Sequence, residues 1–149
     1  MGILKQNDRY CSWSKKISLV ANKSCFELST FKEIDKLVNT RKLSNEETII
    51  FVKNFIIKGF GVDWLKAIKK LIKNKHNNHK INFYVDSGYD YGLSIMLIRN
   101  NVKYIKLKSN KTIIKKINQI AKKNKVLLNP TFDIVKASKY KNISVNKKK

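Results

Sequence analysis

The residues best suited to chemistry in this chain stand together at positions 86–92. The segment reads Asp-Ser-Gly-Tyr-Asp-Tyr-Gly and follows a mostly apolar run at 81–85. Asp86 and Asp90 supply carboxylates that can act as acids, bases or cation ligands, and Ser87 supplies a hydroxyl that can be phosphorylated or donate a hydrogen bond. Gly88 and Gly92 let the backbone turn tightly. We expect these five residues to form a ligand- or partner-binding site.

The same segment has a purely structural interpretation. The glycine spacing fits neither a dinucleotide-binding fingerprint nor a P-loop, and no His or Cys is placed to activate Ser87. Asp90 would then only cap a helix, and Tyr89 and Tyr91 would pack on the edge of the sheet. We therefore favour a recognition loop, and a small enzyme that uses Asp86 or Asp90 as an acid or base remains an alternative.

A second polar loop, Asn-Pro-Thr-Phe-Asp at 129–133, follows a short apolar run. In a parallel sheet this loop would lie at the same edge as the 86–92 loop, so Asn129 and Asp133 are predicted to complete the site. The alternative is that Pro130 ends a strand and Asp133 caps a short final helix.

These loops need a scaffold, and the second half of the chain predicts one. The pattern reads as strand 81–86, helix 91–101, strand 103–108, helix 110–124 and strand 125–129. Strands that alternate with helices through short connections are expected to be parallel, with right-handed crossovers.

The first half of the chain looks helical. Thr30 and Glu33 have the spacing of a capping box, and Ser44 and Glu47 repeat it before an apolar run to position 57. Asp63 is predicted to cap a third helix, and 13–20 has weaker helical character. The predicted fold is α/β, with a helical N-terminal half (1–75) and a βαβαβ unit (80–130) that carries a small, mostly parallel three-stranded sheet. Both parts belong to one domain, 1–140, and 141–149 is predicted to be a disordered basic tail.

Charge is the strongest compositional feature. The net charge is +23 over 149 residues, which favours nucleic acid or another anionic partner. Arginine is the better side chain for phosphate recognition, yet only three of the 33 basic residues are arginines. A nucleic-acid- or ribosome-associated function is therefore an alternative to a solvated basic surface. The helix 110–124 carries the lysines expected to contact phosphates in that case: Lys111, Lys115, Lys116, Lys122 and Lys123.

The run 83–88 (Phe-Tyr-Val-Asp-Ser-Gly), followed by Gly-Leu-Ser-Ile-Met-Leu-Ile at 92–98, resembles STAS domains of the anti-sigma-factor-antagonist kind. The resemblance covers residues 62–130. It implies a non-catalytic regulatory binding domain in which Ser87 stands nearest to the phosphorylatable serine of that family.

Other residue types give no sign of a metal, a cofactor or a membrane anchor. Cys11 and Cys25 are 14 positions apart, which is not a metal-ligand spacing, and His76 and His79 lie among Asn and Lys. The N-terminus lacks the apolar core of a signal peptide, and no apolar block approaches the length needed to span a bilayer. We expect a cytoplasmic protein without cofactor or metal, and a homodimer that covers a sheet edge is a further hypothesis.

Overall fold

The structure is a computed structural model that describes residues 24–41, 46–77 and 79–136. Strands and helices alternate through most of this part of the chain. In chain order they are β1 (Ser24–Glu27), α1 (Phe31–Thr40), β2 (Thr48–Val52), α2 (Asn54–Phe60), α3 (Val62–Lys75), β3 (Ile81–Asp86), α4 (Tyr91–Arg99), β4 (Tyr104–Lys106), α5 (Lys111–Lys123), β5 (Leu127–Leu128) and β6 (Asp133–Lys136).

All strand pairs in the sheet are parallel, and the strand order is β5-β4-β3-β2-β1-β6. The predicted α/β class and parallel sheet are confirmed. The sheet has six strands rather than three, and two of the additional strands, β1 and β2, lie in the half of the chain that was predicted to be helical.

The strand Thr48–Val52 shows why a strand was predicted to be helical. All five residues are buried, and β2 lies between β1 and β3. A central strand of a parallel sheet is covered on both faces, so it reads as a continuous apolar run that periodicity cannot distinguish from a buried helix. Glu47 therefore precedes a strand and caps no helix there. Ser44, Cys11, the 13–20 helix and the 141–149 tail lie outside the described residues.

Helix starts follow the capping residues closely. The Thr30–Glu33 capping box is present at the start of α1, and Asn110 Oδ1 accepts from the backbone N–H of Ile113 at the start of α5. Asp63 does not cap α3, because that helix begins at Val62 after Gly61. Asp63 instead lies in the first turn, where its carboxylate faces the positive end of the helix dipole.

The winding of the chain places the helices on one face of the sheet. Strands β1 to β5 follow one another in spatial order, and successive right-handed crossovers in one direction keep every helix on the same side. Two buried clusters agree with this winding. The first cluster contains the buried residues of the helices and the alternate strand residues that point toward them. We call the face of the sheet that carries this cluster the outer face. The other contains strand residues and Phe132, and we call it the inner face: Cys25, Ile49, Phe51, Tyr84 and Tyr104, with Leu127 and Phe132 packed against them.

This arrangement is the winding of (β/α) barrels rather than of doubly wound sheets. As in a barrel, the last described strand, β6, pairs with the first, β1. The link from β5 to β6 is only residues 129–132 and spans at most about 18 Å, whereas six flat strands would separate β5 from β6 by roughly 24 Å. The sheet must therefore curve around its inner face. Phe132 fills the concave side, with its ring centroid 5.2 Å from that of Tyr84 and 4.9 Å from that of Tyr104.

None of the described helices is both long enough and apolar enough to cross a membrane.

Candidate functional site

The loop 86–92 connects β3 to α4 and has a tightly defined turn. Asp86 Oδ1 accepts from the backbone N–H of Gly88 over 2.9 Å, and Asn54 Nδ2 donates to the carbonyl oxygen of Asp86 over 3.0 Å. Gly88 has φ +62°, and a Cβ at this position would lie 3.1 Å from Asn54 Nδ2. The backbone conformation therefore favours glycine, and the side chain of Asn54 leaves little room for a Cβ.

Ser87 is fully buried and its hydroxyl is satisfied inside the protein. Ser87 Oγ donates to the carbonyl oxygen of Lys106 over 2.7 Å and lies 2.6 Å from Ser94 Oγ. Since each hydroxyl has one proton, both short contacts are satisfied when Ser94 donates to Ser87; Ser94 Oγ also lies 3.4 Å from the carbonyl oxygen of Asp90. The expectation that Ser87 is accessible to a ligand or to phosphorylation is therefore corrected, because the residue joins β3, β4 and α4.

Asp90 is the N-cap of α4, and its Oδ1 accepts from the backbone N–H of Leu93 over 2.9 Å. Gly92 is exposed in the first turn of the helix, where a Cβ would lie 3.3 Å from the same carboxylate oxygen. The capping role explains Asp90 without a ligand. Tyr89 and Tyr91, in contrast, are 78% and 56% exposed, so they do not pack on the sheet edge.

The two residues predicted from the 129–133 loop lie at opposite ends of the sheet. Asn129 follows β5 at the carboxyl edge, as expected, but its amide accepts from the N–H of Leu107 over 2.8 Å and donates to the carbonyl of Leu107 over 3.0 Å. Asp133 begins β6 and pairs with Ser24 at the amino edge. It cannot join a site with Asp86, and the final helix predicted after it is a strand.

Three charged residues that were not predicted from the sequence lie near Asp86 on the inner face: Lys106, Lys53 and Glu27. Side chains of a strand alternate between faces, so Asp86 shares the face of Tyr84, and Lys106 shares that of Tyr104. Asp86 and Lys106 are partners in the β3–β4 register. Next to them, Lys53 Nζ pairs with Glu27 Oε1 over 2.5 Å. The carboxyl edge of the inner face therefore holds two carboxylates and two amines.

Asp86 and Lys106 remain available to a ligand. In the described part of the chain, neither has an oppositely charged side chain within 4.0 Å, although they lie on adjacent strands. Lys106 Nζ lies 5.9 Å from the ring centroid of Phe51, which forms the apolar floor beneath it. The pair can therefore bind an anionic group and a hydrogen-bond donor of one molecule.

The thiol and phenol groups deeper in the inner face are held neutral. Burial raises the pKa of the Cys25 thiol, so this cysteine is a packing residue rather than a nucleophile. Burial is the main cause that raises the pKa of Tyr84 to about 12, and the nearby carboxylate of Asp86 adds to this shift. Burial also raises the pKa of Tyr104, and its hydrogen bond to Glu47 adds to this shift. Any acid–base chemistry at this site would therefore be carried out by the carboxylates and amines at the carboxyl edge.

The lysines predicted to contact phosphates all lie exposed along α5. Among the described residues, no group of three or more His, Cys, Asp and Glu side chains is placed to hold a metal ion. His76 Nε2 instead bonds Asp35 Oδ1 over 2.6 Å, and His79 Nε2 lies 2.8 Å from Thr48 Oγ1.

Comparison with known proteins supports the fold and leaves the function open. No protein family matches the sequence, and no curated protein does. The chain is similar in structure to a candidate fructose-1,6-biphosphate aldolase from Coccidioides immitis, with a TM-score of 0.58 and 6% sequence identity. The match covers 77% of this chain and 42% of that protein, so this chain spans less than half of its length. At this identity the likeness shows the fold alone.

Proposed function

We propose that this chain is a small binding protein that recognises a polar ligand at the carboxyl edge of its sheet. The ligand would carry an anionic group for Lys106 and a hydroxyl or amine for Asp86. Tyr89 and Tyr91, which are exposed in the loop next to Asp86, supply aromatic surface that can stack on it.

One observation carries the proposal: Asp86 and Lys106 are register partners on the same face, yet in the described structure neither forms an ion pair within 4.0 Å, with the other or with a third residue. Adjacent opposite charges on neighbouring strands normally attract each other. Here the two do not form an ion pair, and each stands at the end of its strand, which is the position where barrel-type folds place their functional side chains. The apolar floor beneath Lys106 adds the mixed character typical of ligand sites.

Thermal unfolding in the presence of a panel of small phosphorylated, carboxylated and amino-hydroxy compounds tests the proposal. A compound that raises the unfolding temperature should bind Lys106→Gln and Asp86→Asn at least tenfold more weakly, as measured by calorimetry. Lys116→Gln is the matched control, because Lys116 is an exposed lysine on α5, on the other face of the sheet. A compound whose affinity falls equally in all three variants would contradict a site built on Asp86 and Lys106.

A small enzyme at the same edge is the second candidate, favoured by the juxtaposition of a free carboxylate and a free amine. Such a pair can move protons or, through the amine, attack a carbonyl carbon. Mass spectrometry of the bound compound after prolonged incubation separates the two functions. Chemical conversion that disappears in Asp86→Asn would indicate an enzyme, and an unchanged compound supports the binding protein.

A further inference from the structure

A basic cavity lies at the amino edge of the sheet, away from the site described above. Its volume is about 460 Å³, and it is lined by Lys69, Lys73, His79, Lys80, Ile81 and Asn82. Small-molecule sites commonly occupy cavities of about 300–1,000 Å³. Three of the six lining residues are lysines, and none is an acid.

Within the described residues, none of the lysines of this cavity has an acidic side chain within 4.0 Å. Lys69 and Lys73 lie one turn apart on α3, where like charges repel each other. Lys80 precedes β3 across the cavity. The ion pairs found in the described residues involve other cations: Lys53 with Glu27, Arg41 with Glu46, Lys75 and His76 with Asp35, and Lys103 with Glu47.

The surroundings add positive potential. The pKa of His79 is lowered, first by burial and then by the charges of Arg41 and His76, so cationic groups converge on this ring. Asn82 of the lining donates through Nδ2 to the carboxylate of Glu47, which also accepts from Lys103 Nζ at 3.2 Å. Its charge is therefore compensated outside the cavity.

We propose that this cavity binds a small polyanion with at least two phosphate groups. Lysines act as point charges toward phosphate oxygens, and Lys69, Lys73 and Lys80 approach the cavity from two elements. A concave site of this volume suits a compact ligand, whereas the exposed lysines of α5 form an extended surface of the kind that suits a nucleic-acid backbone. The proposal is independent of the function proposed for the carboxyl edge.

Calorimetry with inorganic tripolyphosphate on the full chain tests the proposal. We expect tripolyphosphate to bind at least tenfold more tightly than orthophosphate. Lys69→Gln combined with Lys73→Gln should weaken tripolyphosphate binding at least tenfold. Lys111→Gln combined with Lys115→Gln is the matched control, because it removes the same charge from exposed lysines four positions apart on α5, and it should change the affinity less than twofold.

The two histidines of the chain provide a second measurement. In a proton NMR titration, tripolyphosphate should raise the pKa of His79, because a nearby anion favours the protonated ring, and this shift should vanish in the Lys69/Lys73 variant. Equal loss of affinity in both double variants would overturn the proposal, and so would an unchanged His79 titration. A further outcome is that a single-stranded oligonucleotide binds more tightly than tripolyphosphate and loses affinity equally in both double variants. That result would overturn the cavity proposal in favour of a nucleic-acid surface spread over many lysines.

Discussion

Replacing Tyr104 with phenylalanine should lower the free energy of unfolding by about 2 kcal/mol, the middle of the range for a hydrogen bond to a charged group. Tyr104 is fully buried, and its hydroxyl donates to Glu47 Oε1 over 2.6 Å. The side chain of Glu47 is only 8% exposed, so water cannot replace the lost donor freely. Lys103 Nζ and Asn82 Nδ2 still bind the carboxylate, which keeps the expected loss below the upper end of that range.

Tyr84→Phe is the matched control. Tyr84 lies on the same face and its ring also contacts Phe132, but its hydroxyl reaches only the carbonyl oxygen of Pro130, at 3.4 Å. A bond of that length contributes little, so we expect a loss of about 0.5 kcal/mol or less. Both variants remove one oxygen and keep the ring, so their difference isolates the bond to Glu47.

Urea unfolding followed by circular dichroism measures both losses, with the slope of free energy against urea unchanged if the compactness is unchanged. For a domain of this size the Tyr104→Phe loss corresponds to a fall of about 4–8 °C in Tm. If Tyr104→Phe is no more destabilising than Tyr84→Phe, then Glu47 is not a desolvated carboxylate and the account of the inner face is wrong.

Two further predictions concern the described polar clusters. Ser87→Asp should lower the free energy of unfolding by several kcal/mol, because it buries a charge against the carbonyl of Lys106; a variant with wild-type Tm would mean that the serine is accessible after all. Hydrogen bonds from Lys75 and His76 lower the pKa of Asp35 below 3.8, so the stabilisation from Asp35 is present above that pH and is lost as pH falls. The free energy of unfolding of the wild type should exceed that of Asp35→Asn by about 1 kcal/mol near neutral pH, and this difference should shrink below about pH 4. Urea unfolding across this pH range measures the difference, and a constant value would contradict the prediction.

The sequence predicts those parts of the fold in which local patterns and tertiary packing agree. The strand at 81–86 and the cap Thr30 are placed correctly, and Asp90 has the capping role that the structural interpretation gave it, because each uses a signal of a few neighbouring residues. The strand Thr48–Val52 is missed because its burial on both faces removes the alternation that marks a strand. Its position at the centre of the sheet depends on partners that are distant in sequence.

The candidate site shows the same limit. Asp86 is found because it ends a recognisable strand, but Ser87 beside it has the opposite environment, since alternation turns it away from the inner face into a buried contact with Ser94. Lys106 and Glu27 look like ordinary surface charges in the sequence. Only the parallel register and the winding of the chain place them at the same edge as Asp86, and neither property can be read from residue spacing.

The pairing of β1 with β6 has a consequence for the newly made chain. Ser24 pairs with Asp133, about 110 positions later, so this contact has one of the largest sequence separations in the fold and should form late. During synthesis, β1 therefore presents an unpaired edge until β6 has left the ribosome, and such an edge can pair with another nascent chain. The net charge of +23 would oppose that encounter by repulsion between copies. The lysines that give this protein its basic character would thus also keep it from aggregating before its last described strand is in place.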